Sequence, residues 1–205
     1  MKKQLYTALA VFSLLTAQAQ EAKLADADKQ YEKYAYVDAI KTYERVAEKG
    51  YKSVDLFQKL GNAYYFNAEL DKANKWYEEL FAMNQPVDAE YYYRYSQTLK
   101  SVGDYEKANQ MLAQFNQKNA ADLRAQLYTK HKDYLEEIKA NSGRYKVENI
   151  NINSEYSDYG TAFFGNKLVF TSARDTGGLF NRKHQWTNQS FTKLYASEIS
   201  SDGSM

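Results

Sequence analysis

The chain has 205 residues, with 27 Lys+Arg against 26 Asp+Glu and a formal net charge of +1. Near neutrality excludes nucleic-acid binding by bulk basicity, and a mean hydropathy of −0.74 excludes a polytopic membrane protein. No cysteine is present, so disulfides, thiolate-bound metals, iron–sulfur clusters and thiol nucleophiles are excluded, while two histidines, His131 and His184, argue against a histidine-rich metal site or catalytic centre. No cofactor is expected.

Residues 1–19 read as a secretory signal peptide. Lys2 and Lys3 precede an apolar run from Leu5 to Leu15, too short to span a bilayer, and Ala17-Gln18-Ala19 has the small-x-small form of a cleavage site. The mature chain is expected to begin at Gln20, in an exported bacterial protein without direct membrane insertion.

Residues 20–140 are rich in helix formers and hold 15 of the 20 tyrosines. A motif recurs: Tyr36-Val-Asp-Ala39, Leu70-Asp-Lys-Ala73 and Tyr105-Glu-Lys-Ala108, with the alanines 34 and 35 residues apart. Four residues after each alanine stands a large residue: Tyr43, Tyr77 and Leu112. Twelve before each stands a small one: Ala27, Gly61 and Ser96. Small residues let two helices approach closely, and large ones fill the space between neighbouring pairs. Such a pair cannot bury its own apolar face, so units of this kind stack. Gly103 suits a left-handed turn between helices, and Pro86 suits a helix boundary.

These residues and spacings resemble the tetratricopeptide repeat. The implied repeats are about 21–53, 54–88 and 89–119, with one capping helix over 120–140 built on Leu123, Leu127, Tyr128, Leu135 and Ile138. Half of a fourth repeat is the less favoured alternative.

From Asn141-Ser142-Gly143 the pattern changes. Glu148 to Asn153 alternates and predicts a strand. A further strand, a Gly165-Asn166 turn, Lys167-Leu-Val-Phe-Thr-Ser172-Ala-Arg174-Asp175, an insertion, Leu194–Ile199 and an Asp202-Gly203 turn follow. This order resembles one blade of a TolB-like β-propeller. Arg174 and Asp175 match that motif and are expected to be structural. The expected fold is therefore an all-α solenoid followed by an incomplete propeller over 141–205. Together the parts resemble exported OmpA-family proteins of Bacteroidetes-type bacteria, some of which serve type IX secretion and gliding. The resemblance implies that this is the N-terminal part of a longer protein, and that peptidoglycan is bound only through a domain not in this sequence.

The sequence holds no nucleophile elbow, phosphate loop or zincin motif. The adjacent pairs Glu78-Glu79 and Glu136-Glu137 point apart on a helix and form no acid/base pair. His131, between Lys130 and Lys132, reads as a solvated helix face. Arg182, His184 and Trp186 cluster in the insertion, where they either contact a partner or pack the loop with Phe180. The chain therefore reads as non-catalytic.

In a tetratricopeptide solenoid the first helix of each repeat lines a groove. Its spacing gives Leu24, Asp28, Tyr31 and Glu32, then Asp55, Gln58, Asn62, Tyr65 and Phe66, then Glu90, Tyr93, Gln97 and Lys100. Aromatics mixed with amides suit an extended peptide or a partner helix. Tyr64, Tyr77 and Tyr105 are expected to pack between helices; for Tyr65, Phe66 and Tyr93 both roles stay open. No lysine pair is present to clamp a terminal carboxylate. The favoured function is a periplasmic, outer-membrane-associated scaffold for other envelope proteins. The alternative is an exported hydrolase with its catalytic domain beyond residue 205.

Overall fold

The computed structural model describes residues 24–174, 177 and 182–200. The expected signal segment, Asp175, Phe180 and the expected Asp202-Gly203 turn lie outside these residues. The chain divides into two compact units, Met1–Lys132 and Asp133–Met205.

The first unit is helical. Its elements are α1 (residues 24–32), α2 (Tyr36–Glu48), α3 (Val54–Phe66), α4 (Leu70–Ala82), α5 (Ala89–Ser101), α6 (Tyr105–Lys118) and α7 (Leu123–Lys130). Each helix from α2 to α6 packs on the next, and α3 also touches α5. The repeating small and large positions form the core. Ala39, Ala73 and Ala108 are fully buried, as are Tyr43 and Tyr77, and Leu112 nearly so. Ala27, Gly61 and Ser96 are buried opposite them.

The backbone repeats as the side chains do. Tyr34 (φ 59°), Ala68 (φ 60°) and Gly103 (φ 83°) are all left-handed, between the two helices of successive pairs. The next residue closes each turn in the same way. The N–H of Ala35 donates to Gln30 O at 2.9 Å, that of Glu69 to Tyr64 O at 3.0 Å, and that of Asp104 to Leu99 O at 2.9 Å. These are Schellman-type closures. Only Gly103 adopts this conformation without steric cost; an L-residue there loses about 1–2 kcal/mol. Part of that loss is recovered because alanine restricts the unfolded chain more than glycine does. Ala68→Gly is therefore expected to stabilise the first unit by about 0.5–1 kcal/mol, read as a higher urea midpoint.

Residues 120–140 are not one helix. Helix α7 ends at Lys130, and α8 (Tyr134–Asn141) belongs to the second unit. Leu123, Leu127 and Ile138 are all exposed, and only Ala125 of α7 is buried. Without a buried stripe, nothing holds the polar run Lys130-His131-Lys132-Asp133 helical. His131 is thus not on a helix face: it ends α7, its N–H donating to Leu127 O at 2.9 Å.

The second unit contains β1 (Asp158–Phe164), β2 (Lys167–Ser172) and β3 (Lys193–Glu198), a three-stranded antiparallel sheet in the order β1-β2-β3. Gly165 (φ 60°) opens the two-residue turn that pairs Phe164 with Lys167. Leu168, Phe170 and Ser172 are buried on one face of β2. The expected strand over Glu148–Asn153 does not form. The segment instead makes a turn in which the Asn153 N–H donates to Ile150 O at 3.0 Å, in keeping with the turn preference of asparagine.

Candidate functional site

The first helices are joined by a polar seam that crosses from α1 to α3, α5 and α7. At its start, Lys59 Nζ donates to Asp28 Oδ1 and to Asp55 Oδ2, both at 2.8 Å. Burial pulls the Lys59 pKa down, but the bonds to Asp28 and Asp55 outweigh it, and the ammonium lies above its ordinary value. Further along, Arg94 Nη1 donates to Asn62 Oδ1 at 2.7 Å, and Asn62 Nδ2 donates to the Tyr91 hydroxyl at 3.3 Å. Glu90 then holds two arginines. Its Oε1 accepts from Arg94 Nε at 3.1 Å and from Arg124 Nη1 at 3.2 Å, and its Oε2 from Arg124 Nη2 at 2.8 Å. Asp122, at the start of α7, completes the seam by accepting from Arg124 Nη2 at 2.9 Å.

A second set of bonds ties the first helix to its own partner in the first two repeats. The Tyr43 hydroxyl donates to Asp28 Oδ1 at 2.6 Å, and the Tyr77 hydroxyl donates to Asn62 Oδ1 at 2.8 Å. The equivalent pair in the third repeat is Leu112 and Gln97. Leucine has no hydroxyl, and Gln97 Nε2 donates instead to Ser96 Oγ at 3.1 Å.

The guanidinium groups also cover the aromatics. Arg94 lies 4.9 Å from the Phe66 ring centre and 5.8 Å from that of Tyr65. Arg124 lies 4.2 Å from Tyr93 and 5.1 Å from Phe115. Such contacts are each worth about 0.5–1 kcal/mol at exposed sites and more when desolvated. Burial raises the Tyr65 pKa, and neighbouring Tyr93 adds to that rise. Tyr65, Phe66 and Tyr93 thus border one Arg94–Glu90–Arg124 cluster.

The other expected groove residues fall as follows. Asp28, Gln58, Gln97 and Lys100 are half-buried, and burial lowers the Lys100 pKa. Tyr31 is half-buried, with its ring 5.2 Å from Tyr36. Leu24 and Glu90 are half-buried; Glu32 and Asp55 are exposed. Phe66 is 39% exposed, whereas Asn62 is only 7% exposed. Asn62 is therefore buried and bonded rather than an open contact. Tyr64 and Tyr77 are buried as expected, but Tyr105 is not: it stands 39% exposed. Sequence reasoning missed Lys59, Tyr91, Arg94 and Arg124. Asp55/Lys59 and Glu90/Arg94 are i,i+4 charge pairs, which was the available signal. Arg124 gave none.

His184 and Trp186 lie in the second unit, in a loop closed by the Lys183–Ser190 bridge, and Arg182 directly precedes that bridge. The Asn188 N–H donates to His184 O at 2.8 Å, and the Trp186 N–H donates to His184 Nδ1 at 3.2 Å. Arg182 and His184 are exposed and Trp186 half-buried. The His184 ring lies edge-on to Phe191 at 5.6 Å, so its visible bonds organise the loop.

Arg174 is structural. Its Nε donates to Ser172 Oγ at 2.8 Å, and its Nη2 donates to Ile152 O at 2.8 Å and to Asp158 Oδ1 at 3.1 Å. Hydrogen bonds from the Ser172 hydroxyl, then from Ser154 and Arg174, hold the Asp158 carboxyl well below the usual carboxylate range. A depressed folded pKa gives stability that is complete above pH ~4 and lost as pH falls towards the folded value. Asp158→Asn is thus expected to flatten the loss of stability below pH ~4 relative to wild type, as read by thermal melts of the full chain at stepped pH.

No protein-family model and no curated protein matches the chain. Among solved structures, one similar fold is the C-terminal part of a TPR repeat-containing protein from Cytophaga hutchinsonii. It is 21% identical with a TM-score of 0.47, covering 59% of this chain and 45% of that one. Another is the Yersinia enterocolitica type III secretion translocator chaperone SycD, at 22% identity and a TM-score of 0.42 over 62% of this chain and 96% of that one. A third is PcrH in complex with the chaperone-binding region of PopB, at 16% identity and a TM-score of 0.41 over 58% and 94%. The chain spans less than half the length of the Cytophaga chain. The helical repeat itself is read from this chain's own periodic core and turns, and among the described residues no helix is long and apolar enough to cross a membrane.

Proposed function

We propose that this chain is a non-catalytic scaffold whose first helices α1, α3, α5 and α7 form a groove for an extended segment or helix of another protein. The observation that carries this reading is the row of partly exposed aromatics, Tyr65, Phe66 and Tyr93, braced by Arg94, Glu90 and Arg124. Aromatic side chains held rigid before binding lose little entropy on contact and make strong anchors. Both arginines are already engaged by Glu90, which disfavours a ligand held by its terminal carboxylate.

The residues of the N-terminal segment support export, so we place the protein in the periplasm, associated with the outer membrane. The three-stranded sheet and the Arg174 pattern fit the opening strands of a propeller in an OmpA-type envelope protein, with type IX secretion or gliding as the setting. The partner is then another envelope protein. Affinity capture from envelope and cytoplasmic fractions tests this. The wild-type chain is expected to retain an envelope protein, and Tyr65→Ala/Tyr93→Ala is expected to weaken that binding by about 1–4 kcal/mol. Equal capture by both forms, or capture confined to the cytoplasmic fraction, would contradict the proposal.

A further inference from the structure

The alternating Asn149-Ile-Asn-Ile-Asn153 segment reads as a strand and is not one, so its carboxamides serve no sheet. Those of Asn149 and Asn153 border a cleft. Its volume is about 410 Å³, and its walls are Asn149, Ile150, Asn153, Ser154, Tyr156 and Asp158. That volume falls in the range of small-molecule sites, about 300–1,000 Å³. We propose that this cleft binds a neutral, hydroxyl-rich ligand of the saccharide class.

Charge excludes the main alternatives. The carboxylate that the described wall contains, Asp158, is already matched. Its Oδ1 accepts from Arg174 Nη2 at 3.1 Å, and its Oδ2 accepts from the Ser154 N–H at 2.6 Å and the Ser154 hydroxyl at 2.8 Å. Among the described residues, the wall therefore offers no unmatched carboxylate for a cation and no cationic side chain for an anion. It offers amides. Asn153 Nδ2 donates to Asn149 Oδ1 at 3.2 Å. That bond leaves the Asn149 amide hydrogens and the Asn153 carbonyl oxygen as a neighbouring donor and acceptor. Vicinal hydroxyls, each both donor and acceptor, match such a pair. Ile150 and Tyr156 are each 38% exposed and give the apolar patch that the C–H face of a sugar ring requires.

The loop is also fixed in advance. Arg174 holds the Ile152 carbonyl at 2.8 Å, the Asn153 N–H closes on Ile150 O at 3.0 Å, and the Tyr156 N–H donates to Ser154 Oγ at 3.3 Å. Prior ordering reduces the entropy lost on binding.

The test is saturation-transfer NMR on the full chain with maltose, cellobiose, lactose and chitobiose at millimolar concentration, and with glucuronic acid beside glucose. At least one neutral disaccharide is expected to give a transfer signal. Its affinity should fall about tenfold or more in Asn149→Ala and in Tyr156→Ala, and stay unchanged in Gln117→Ala. Asn149 and Tyr156 are exposed, and circular dichroism of each variant confirms that the fold is kept. The proposal is overturned if no disaccharide gives a signal, if both cleft variants bind as wild type does, or if glucuronic acid binds more tightly than glucose. None of these outcomes bears on the groove of the first unit.

Discussion

Replacing Gly61 with leucine is expected to abolish cooperative folding of the first unit. A Cβ at position 61 would stand 2.3 Å from Tyr77 Cε1 and 2.5 Å from Cδ1. The ring cannot swing aside without breaking other contacts. Its hydroxyl is bonded to Asn62 at 2.8 Å, and it packs against the Tyr65, Tyr91 and Tyr95 rings at 6.3–6.4 Å between centres. Overpacking of this kind costs about 1–3 kcal/mol for modest insertions and more for a bulky one. Gly61→Ala is therefore expected to lose about 1–3 kcal/mol, and Gly61→Leu more than that. Urea unfolding followed by far-ultraviolet circular dichroism measures both. A leucine variant as stable as wild type would refute the close helix approach.

Asn62→Ala is expected to cost about 2–4 kcal/mol, because it strands several partners at once. Asn62 Oδ1 accepts from both Tyr77 and Arg94. Without it a fully buried hydroxyl and a charged guanidinium lose an acceptor, and a buried donor left unsatisfied costs about 1–3 kcal/mol. Asn62→Asp keeps the acceptor oxygen and should lose less than alanine. Tyr65→Ala, at a half-buried position, should lose less than Asn62→Ala. The reverse order in thermal melts would make Tyr65 core and misplace the groove.

Much of the first unit is legible in the sequence because its packing rule is short. A small residue and a large one recur at 34 or 35 residues, and the buried positions follow them. The left-handed turns are legible only at Gly103. Tyr34 and Ala68 adopt the same φ, but neither residue type signals it. Helical spacing puts Asn62 on α3 among the expected contact residues, yet it could not show that Arg94, on the next first helix, would claim its oxygen. Arg124 is harder still, since its partner Glu90 belongs to another helix. The break at His131 was obscured because Leu123, Leu127 and Ile138 are spaced like a buried stripe while remaining exposed. The Asn149–Asn153 alternation misled in the same way: period two shows which residues share a face only if a neighbouring strand is there to pair.

The most direct test of the groove is site-specific photo-crosslinking in living cells. One crosslinking residue replaces Phe66, which is 39% exposed on α3, and another replaces Gln114, exposed on α6. The account predicts a discrete protein adduct from position 66 and none from position 114. The same adduct from position 114, or adducts from that position alone, would contradict it.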